Sequence, residues 1–250
     1  MTKAFRKYFQ HYAEAEVADL CDFPRHYSFT NAVVIPAYKE SPEFIERFIE
    51  TQTKKRSCLL ILVVNQPDYE QDSKPQHALY QHAMSKGEAT WYSQGCDKTR
   101  RGSLKLVTVA DSKSAILLVD RYSVPVSESE GVGKARKIGA DIASFLYFNQ
   151  QVTSPFFHST DADATLPIDY FDATCRLKQN DVACCYDFFH RSNEQAVHDA
   201  NALYESALKY YVAGLQYASS PYAFFTIGSI LAVRFSAYIT ARGFPKKSAG

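Results

Sequence analysis

Two runs of the chain are apolar at nearly every position, rather than at every second or every third. Asn31-Ala32-Val33-Val34-Ile35 stops at Pro36-Ala37-Tyr38, and Cys58-Leu59-Leu60-Ile61-Leu62-Val63-Val64 runs up to Asn65. Short continuous runs of aliphatic and β-branched residues predict strands covered on both faces. Between them, Phe44, Ile45, Phe48 and Ile49 recur at helical spacing behind Ser41-Pro42-Glu43. Ser41 reads as the cap of that helix and Pro42 as its first residue. Strand, helix, strand in this form predicts a parallel sheet with helices on both sides. Ligands of such sheets bind beyond the carboxyl ends of the strands, here residues 36–40 and 65–68.

The remaining pattern extends the same architecture. Phe5, Tyr8, Phe9 and Tyr12 form one face of an amphipathic helix within residues 1–20. That face suits packing on the domain itself, and alternatively a membrane surface or a partner helix. Residues 66–103 are polar, with helical character only near 77–84. They carry the basic cluster Lys98, Arg100 and Arg101, which suits either a flap over a phosphate-bearing ligand or a solvated excursion. Strands are expected at 104–109, 115–119 and 156–160, a helix from the glycine-rich turn near 131 through 148, and an aromatic strand over 181–189. A long helix over 193–218 carries Ala200, Leu203, Tyr204, Ala207, Leu208, Tyr211 and Leu215 along one face, and a shorter one follows near 236–242. With no repeat and no low-complexity linker, residues 1–250 read as one α/β domain with an N-terminal helical extension over 1–28.

Composition narrows the partners. Lys+Arg 28 against Asp+Glu 27 gives a net charge of +1, so no global field points to nucleic acid. The 6 cysteines include no C-x-x-C pair and are expected to be reduced thiols of a cytoplasmic protein. No run approaches the length of a membrane span.

The chemistry gathers at Phe156-Phe157-His158-Ser159-Thr160-Asp161-Ala162-Asp163-Ala164-Thr165. An apolar strand delivers two carboxylates two positions apart at its exit, and such side chains point the same way. They form a hard-oxygen site for Mn²⁺ or Mg²⁺ with positions left open for substrate phosphates. The bland reading of the same residues is a polar loop. Gly131-Val132-Gly133-Lys134-Ala135-Arg136-Lys137-Ile138-Gly139 fails both common phosphate-loop patterns. It leaves a helix that opens with three cations in its first turns. Cations there oppose the helix dipole, which suggests an anion nearby.

In order, these motifs resemble family 2 glycosyltransferases, which have the GT-A fold: a Rossmann-like, mostly parallel central sheet flanked by helices. Val33-Val34-Ile35-Pro36-Ala37-Tyr38-Lys39-Glu40 is similar to their opening strand-turn, and Gly133 through Gly139 to their G-x-A-R-N-x-G helix start. Asp161-Ala162-Asp163 falls where their metal-binding D-x-D lies, and Gly228-Ser229 through Gly243-Phe244-Pro245 resembles their acceptor-side segment. The resemblance spans residues 30–250. It implies transfer of a sugar, with inversion, from a nucleotide-diphospho-sugar to a saccharide, lipid or other hydroxyl acceptor. It further implies that Pro36, Ala37, Tyr38 and Glu40 cradle the nucleoside and that Asn65 stands near the base. Arg136 would hold the base or phosphates, Asp161 would face the ribose or the metal, and Asp163 would bind Mn²⁺ or Mg²⁺ directly.

The chain departs from the family at Asn65, where an aspartate is usual, and at Lys137, where asparagine is usual. The family's general base lies in an acidic pair just after the glycine-phenylalanine segment. It is expected beyond Gly250, as if a longer protein ended early, which leaves Asp187 and His190 as in-chain candidates. The implied location is cytoplasmic, with peripheral association at the inner membrane face open. Two other readings stand beside this one: a haloacid-dehalogenase-type phosphatase with Asp161 as nucleophile in D-x-D-x-T, and a non-catalytic nucleotide-sugar-binding domain.

Overall fold

The computed structural model describes residues 3–54, 56–94, 102–225 and 230–246. Lys98, Arg100, Arg101 and the Gly228-Ser229 pair lie outside them.

The two apolar runs form β1 (Asn31–Ala37) and β2 (Cys58–Pro67), which pair in parallel. On the far side of β2, β5 (Ala115–Val126) pairs in parallel, and β6 (Phe156–Thr160) joins β1 in parallel. Around this four-stranded centre, β4 (Leu104–Val109), β3 (Gly87–Tyr92), β8 (Ile230–Arg234) and β7 (Ala183–Cys185) add antiparallel edges. The sheet runs β3-β4-β5-β2-β1-β6-β8-β7. The protein is therefore α/β, with a mixed sheet whose middle is parallel and whose flanks are helical.

Alternation sorts the strand residues into two cores. Val33, Ile35, Leu60 and Leu62 face α2 (Glu43–Phe48) and α3 (Lys74–Met84). Val34, Leu59, Ile61 and Val63 face α1 (Lys3–His11), α4 (Gly131–Phe148) and α6 (Phe235–Thr240). Fully buried strands on both faces explain why β1 and β2 read as continuous rather than alternating runs. Phe5 and Tyr8 of α1 are buried in the second core, so the amphipathic N-terminal face is spent on the domain itself.

Several expectations are corrected. Ser41 does not cap α2; Pro42 holds the cap position without a side-chain hydrogen bond. The segment expected to be loop-rich contains β3, which packs through Trp91 against Phe23 with ring centroids 5.0 Å apart. The expected 181–189 strand shrinks to β7, and a 3₁₀ turn forms over Tyr170–Arg176 after Pro167. The long helix forms as α5 (Gln195–Tyr217), but none of its residues is buried. Among the described residues no helix is long and apolar enough to cross a membrane.

Candidate functional site

From β1 the chain moves to β2 and β5 on one side; α4 then carries it back across to β6 on the other. The direction of winding thus reverses between β1 and β6. A reversal of this kind opens a crevice at the carboxyl ends of the two strands. Residues 36–40 leave β1 at that edge, and Asp161-Ala162-Asp163 leaves β6 beside them. Ala162 turns back into the core, while Asp161 is half-buried and Asp163 exposed. β6 ends at Thr160, and Asp161–Ala164 form a turn, with the Ala164 N–H donating to the Asp161 carbonyl, rather than the extended strand exit expected of the sequence.

Helix α4 brings Arg136 to this edge. Its Nη2 donates to Asp161 Oδ1 at 2.5 Å, and its Nε has no partner among the described residues. Close packing of α4 on β1 allows the reach: a Cβ added at Gly139 would stand 2.3 Å from Val34 Cγ1. The other two cations of the helix start do not await an anion. Lys134 pairs with Glu130 one turn earlier. Lys137 is buried and donates to Asp141 Oδ2 at 2.6 Å and to the Tyr12 carbonyl at 2.7 Å. Asp141 also accepts from Tyr8 at 2.6 Å, Tyr238 at 2.7 Å and the Glu14 N–H at 2.8 Å. Burial holds both tyrosines well above the usual phenol range, so both stay protonated donors. The Lys137 departure from the family pattern is thus structural: it ties α4 to α1 and α6.

Glu40 completes the acidic edge. Its carboxyl is pushed up from the usual range by burial and then by Asp163 and Asp161, so the three carboxylates share one field. Arg136 is seen to engage one of them, Asp161. The preceding residues are held by the loop after β2: Tyr38 donates to Glu70 Oε2 at 3.0 Å, and Lys39, at φ 56°, pairs with the same oxygen. The Ala37 side chain points into the core beneath α2, which leaves only its backbone to meet a ligand. Pro36 is likewise buried.

Asn65 is nearly buried, and its Oδ1 has no partner among the described residues. Its register neighbour on β5 is Arg121, which binds Glu16 of the N-terminal extension at 3.0 Å while its own Nε stays unpaired. Sequence reasoning missed Arg121 and Glu16. Neither carried a motif: Arg121 meets Asn65 only through β5 pairing with β2, and Glu16 only through the packing of the N-terminal segment. On the opposite face, Thr160, Ala162 and Thr165 line a small, mainly apolar pocket with Phe44, Arg47 and Thr51. Thr160 Oγ1 and Arg47 Nε are unpaired there.

Asp187 and His190 do not join this edge through any hydrogen bond or ion pair among the described residues. Asp187 accepts from the Phe188 N–H, and His190 Nδ1 lies 3.0 Å from Glu205 of α5. Gly243 and Phe244 pack elsewhere as well: Phe244 sits against Phe157 and Tyr238. Among the described residues no three His, Cys, Asp or Glu side chains form a ready-made metal cage. The donor set that is present, two carboxylates with a third in their field, suits a cation that takes its remaining ligands from water and phosphate. Compared with known protein-family models and with curated proteins, the chain matches none.

Proposed function

We propose that the protein is a metal-dependent glycosyltransferase that moves a sugar from a nucleotide-diphospho-sugar to an acceptor hydroxyl. The observation that carries this reading is the shared field of Asp161, Asp163 and Glu40 at the β1–β6 crevice, answered by Arg136. Excess negative charge at a strand exit suits a cation-bridged polyphosphate. Asp163 and Asp161 would hold Mn²⁺ or Mg²⁺, and the cation would supply charge neutralisation at the diphosphate leaving group. Arg136 orients Asp161 and has a free N–H to offer an oxygen. The backbone of residues 36–40, with the Tyr38 and Lys39 side chains tied to Glu70, provides a wall for the nucleoside. Asn65 Oδ1, unpaired in a nearly buried setting, is suited to accept from a base edge.

The GT-A assignment, the donor class and the acceptor belong to this proposal and rest on the motif resemblance together with that geometry. The test is release of the free leaving group from a donor panel with Mn²⁺: nucleoside diphosphate from UDP-, GDP- and dTDP-linked sugars, and CMP from a CMP-linked sugar. Turnover of one nucleotide class that disappears in Asp163→Asn supports the reading. Phosphatase activity on a simple phosphate monoester, abolished by Asp161→Asn, would replace it with the phosphoryl-aspartate mechanism. Tight binding of one nucleotide sugar without turnover would favour the non-catalytic reading.

A further inference from the structure

Helix α5 is 23 residues long, yet it buries nothing. Asn201, Glu205, Leu208, Val212 and Leu215 form a half-covered face, along which Glu205 pairs with His190. On the opposite face stand Leu203 at 74 %, Tyr210 at 82 % and Tyr217 at 95 % exposure, each seven residues from the next. Ala200, Ala207 and Gly214 interleave with them at the same seven-residue spacing. Intervals of three and four residues, repeated, are those of a helix–helix seam, with small residues at one inward position and large ones at the other. Tyr204 and Tyr211 flank the seam, and no charged residue occupies an inward or flanking position between Ala200 and Tyr217. A solvated helix face would carry charges there.

Within this stripe, Gly214 stands out. A Cβ built there meets nothing within 4 Å, so neither packing nor space within the chain calls for glycine in the middle of this helix. Glycine weakens a helix interior, and its usual compensation is close approach of another backbone.

We propose that this face binds the same face of a second copy of the chain, with the two α5 helices antiparallel about a twofold axis between Leu208 and Lys209. In that register every small residue meets a large one: Ala200 faces Tyr217 of the second copy, Leu203 faces Gly214, and Ala207 faces Tyr210. Tyr204 and Tyr211 meet across the flank. The match is self-complementary, because one helix supplies both the holes and the knobs. Tyrosines at about 150 Å² each bring the paired area to roughly 1,000 Å², the size at which a specific interface outgrows a packing contact. The inference does not depend on the chemistry proposed for the β1–β6 crevice.

The test is sedimentation equilibrium of the intact chain over a range of concentrations, with Gly214→Leu and Gly214→Ala alongside. The expected wild-type mass is that of two copies. Gly214→Leu should be monomeric with unchanged helix content by circular dichroism, since the added side chain finds open space in one copy and collides with Leu203 of the other. Gly214→Ala should remain paired, because alanine already fills the equivalent positions 200 and 207. A wild-type monomer at every concentration would overturn the proposal, and so would a Gly214→Leu protein that remains a dimer. A monomer that co-floats with phosphatidylglycerol vesicles would overturn it in favour of a membrane-facing helix.

Discussion

Arg136 Nη2 and Asp161 Oδ1 meet at 2.5 Å across the crevice between β1 and β6, joining the first turns of α4 to the exit of a central strand. The arginine is nearly buried, whereas the aspartate keeps 38 % of its side-chain surface. One guanidinium thus faces a field made by Asp161, Asp163 and Glu40. The imbalance makes the metal-free protein self-repelling at this edge. Asp163→Asn should therefore raise stability in EDTA, by about 0.5–1 kcal/mol, while removing any stabilisation by Mn²⁺. Arg136→Ala should act in the opposite direction, lowering stability in EDTA. Chemical unfolding of the three proteins with and without Mn²⁺ reads both effects.

Gly139 sets how closely α4 approaches β1. Its missing Cβ is what keeps Val34 Cγ1 from a 2.3 Å clash. Gly139→Ala should cost about 1–3 kcal/mol through the shift it forces. It should also weaken nucleotide binding, because moving α4 outward withdraws Arg136 from Asp161. A variant that loses stability but binds as wild type would separate the packing role from the positioning role.

Lys137 and Asp141 form a buried pair, with side-chain exposures of 6 % and 0 %. Removing one member strands the other charge, so Asp141→Ala should destabilise by about 3–5 kcal/mol. Lys137→Met combined with Asp141→Asn should cost less than the two single changes together. Equilibrium urea unfolding of the set measures this coupling. The donor-site residues lie elsewhere, so any variant that still folds should retain nucleotide affinity.

His158, wholly buried in β6, has its pKa depressed to about 3 by desolvation, against 6.5 for the free side chain. Its Nδ1 lies 2.7 Å from the Tyr186 hydroxyl. The folded state keeps the ring neutral while the unfolded chain takes up a proton below pH 6.5. This contribution to stability is complete above that pH and falls as pH drops from 6.5 towards 3, with a slope near 1.4 kcal/mol per pH unit. Replacing His158 by leucine should flatten the slope between pH 6 and 5 by about one proton, as read from unfolding free energies in that window.

Much of the sheet and the two carboxylates were legible in the chain because both rest on local rules. Continuous aliphatic runs mark doubly covered strands, and the apolar run that ends at Thr160 delivers Asp161 and Asp163 in the turn at its exit. The same reading failed where identity depends on distant partners. Lys137 looked like an anion-seeking cation at a helix start, but Asp141 one turn along and Tyr8 from α1 consume it. Arg121 and Glu16 carried no motif, since only the pairing of β5 with β2 brings Arg121 to Asn65 and only the folded N-terminal segment brings Glu16 to Arg121. The 181–189 segment has the aromatic content of a strand, but β8 pairs with only Ala183, Cys184 and Cys185 of it. The apolar face of α5 implied a core that the fold does not provide.

The central claim is that the β1–β6 crevice binds a nucleotide-sugar through a divalent cation held by Asp163 and Asp161. Thermal unfolding with Mn²⁺ and each class of nucleotide-sugar, set against Asp163→Asn, tests it most directly. Ligand at 100 times its Kd adds about 2.7 kcal/mol to the folded state. The proposed site predicts stabilisation of that order with one nucleotide class, dependent on Mn²⁺, reversed by EDTA and absent in Asp163→Asn. Equal stabilisation of the variant, or none of the wild-type protein with any donor, would contradict it.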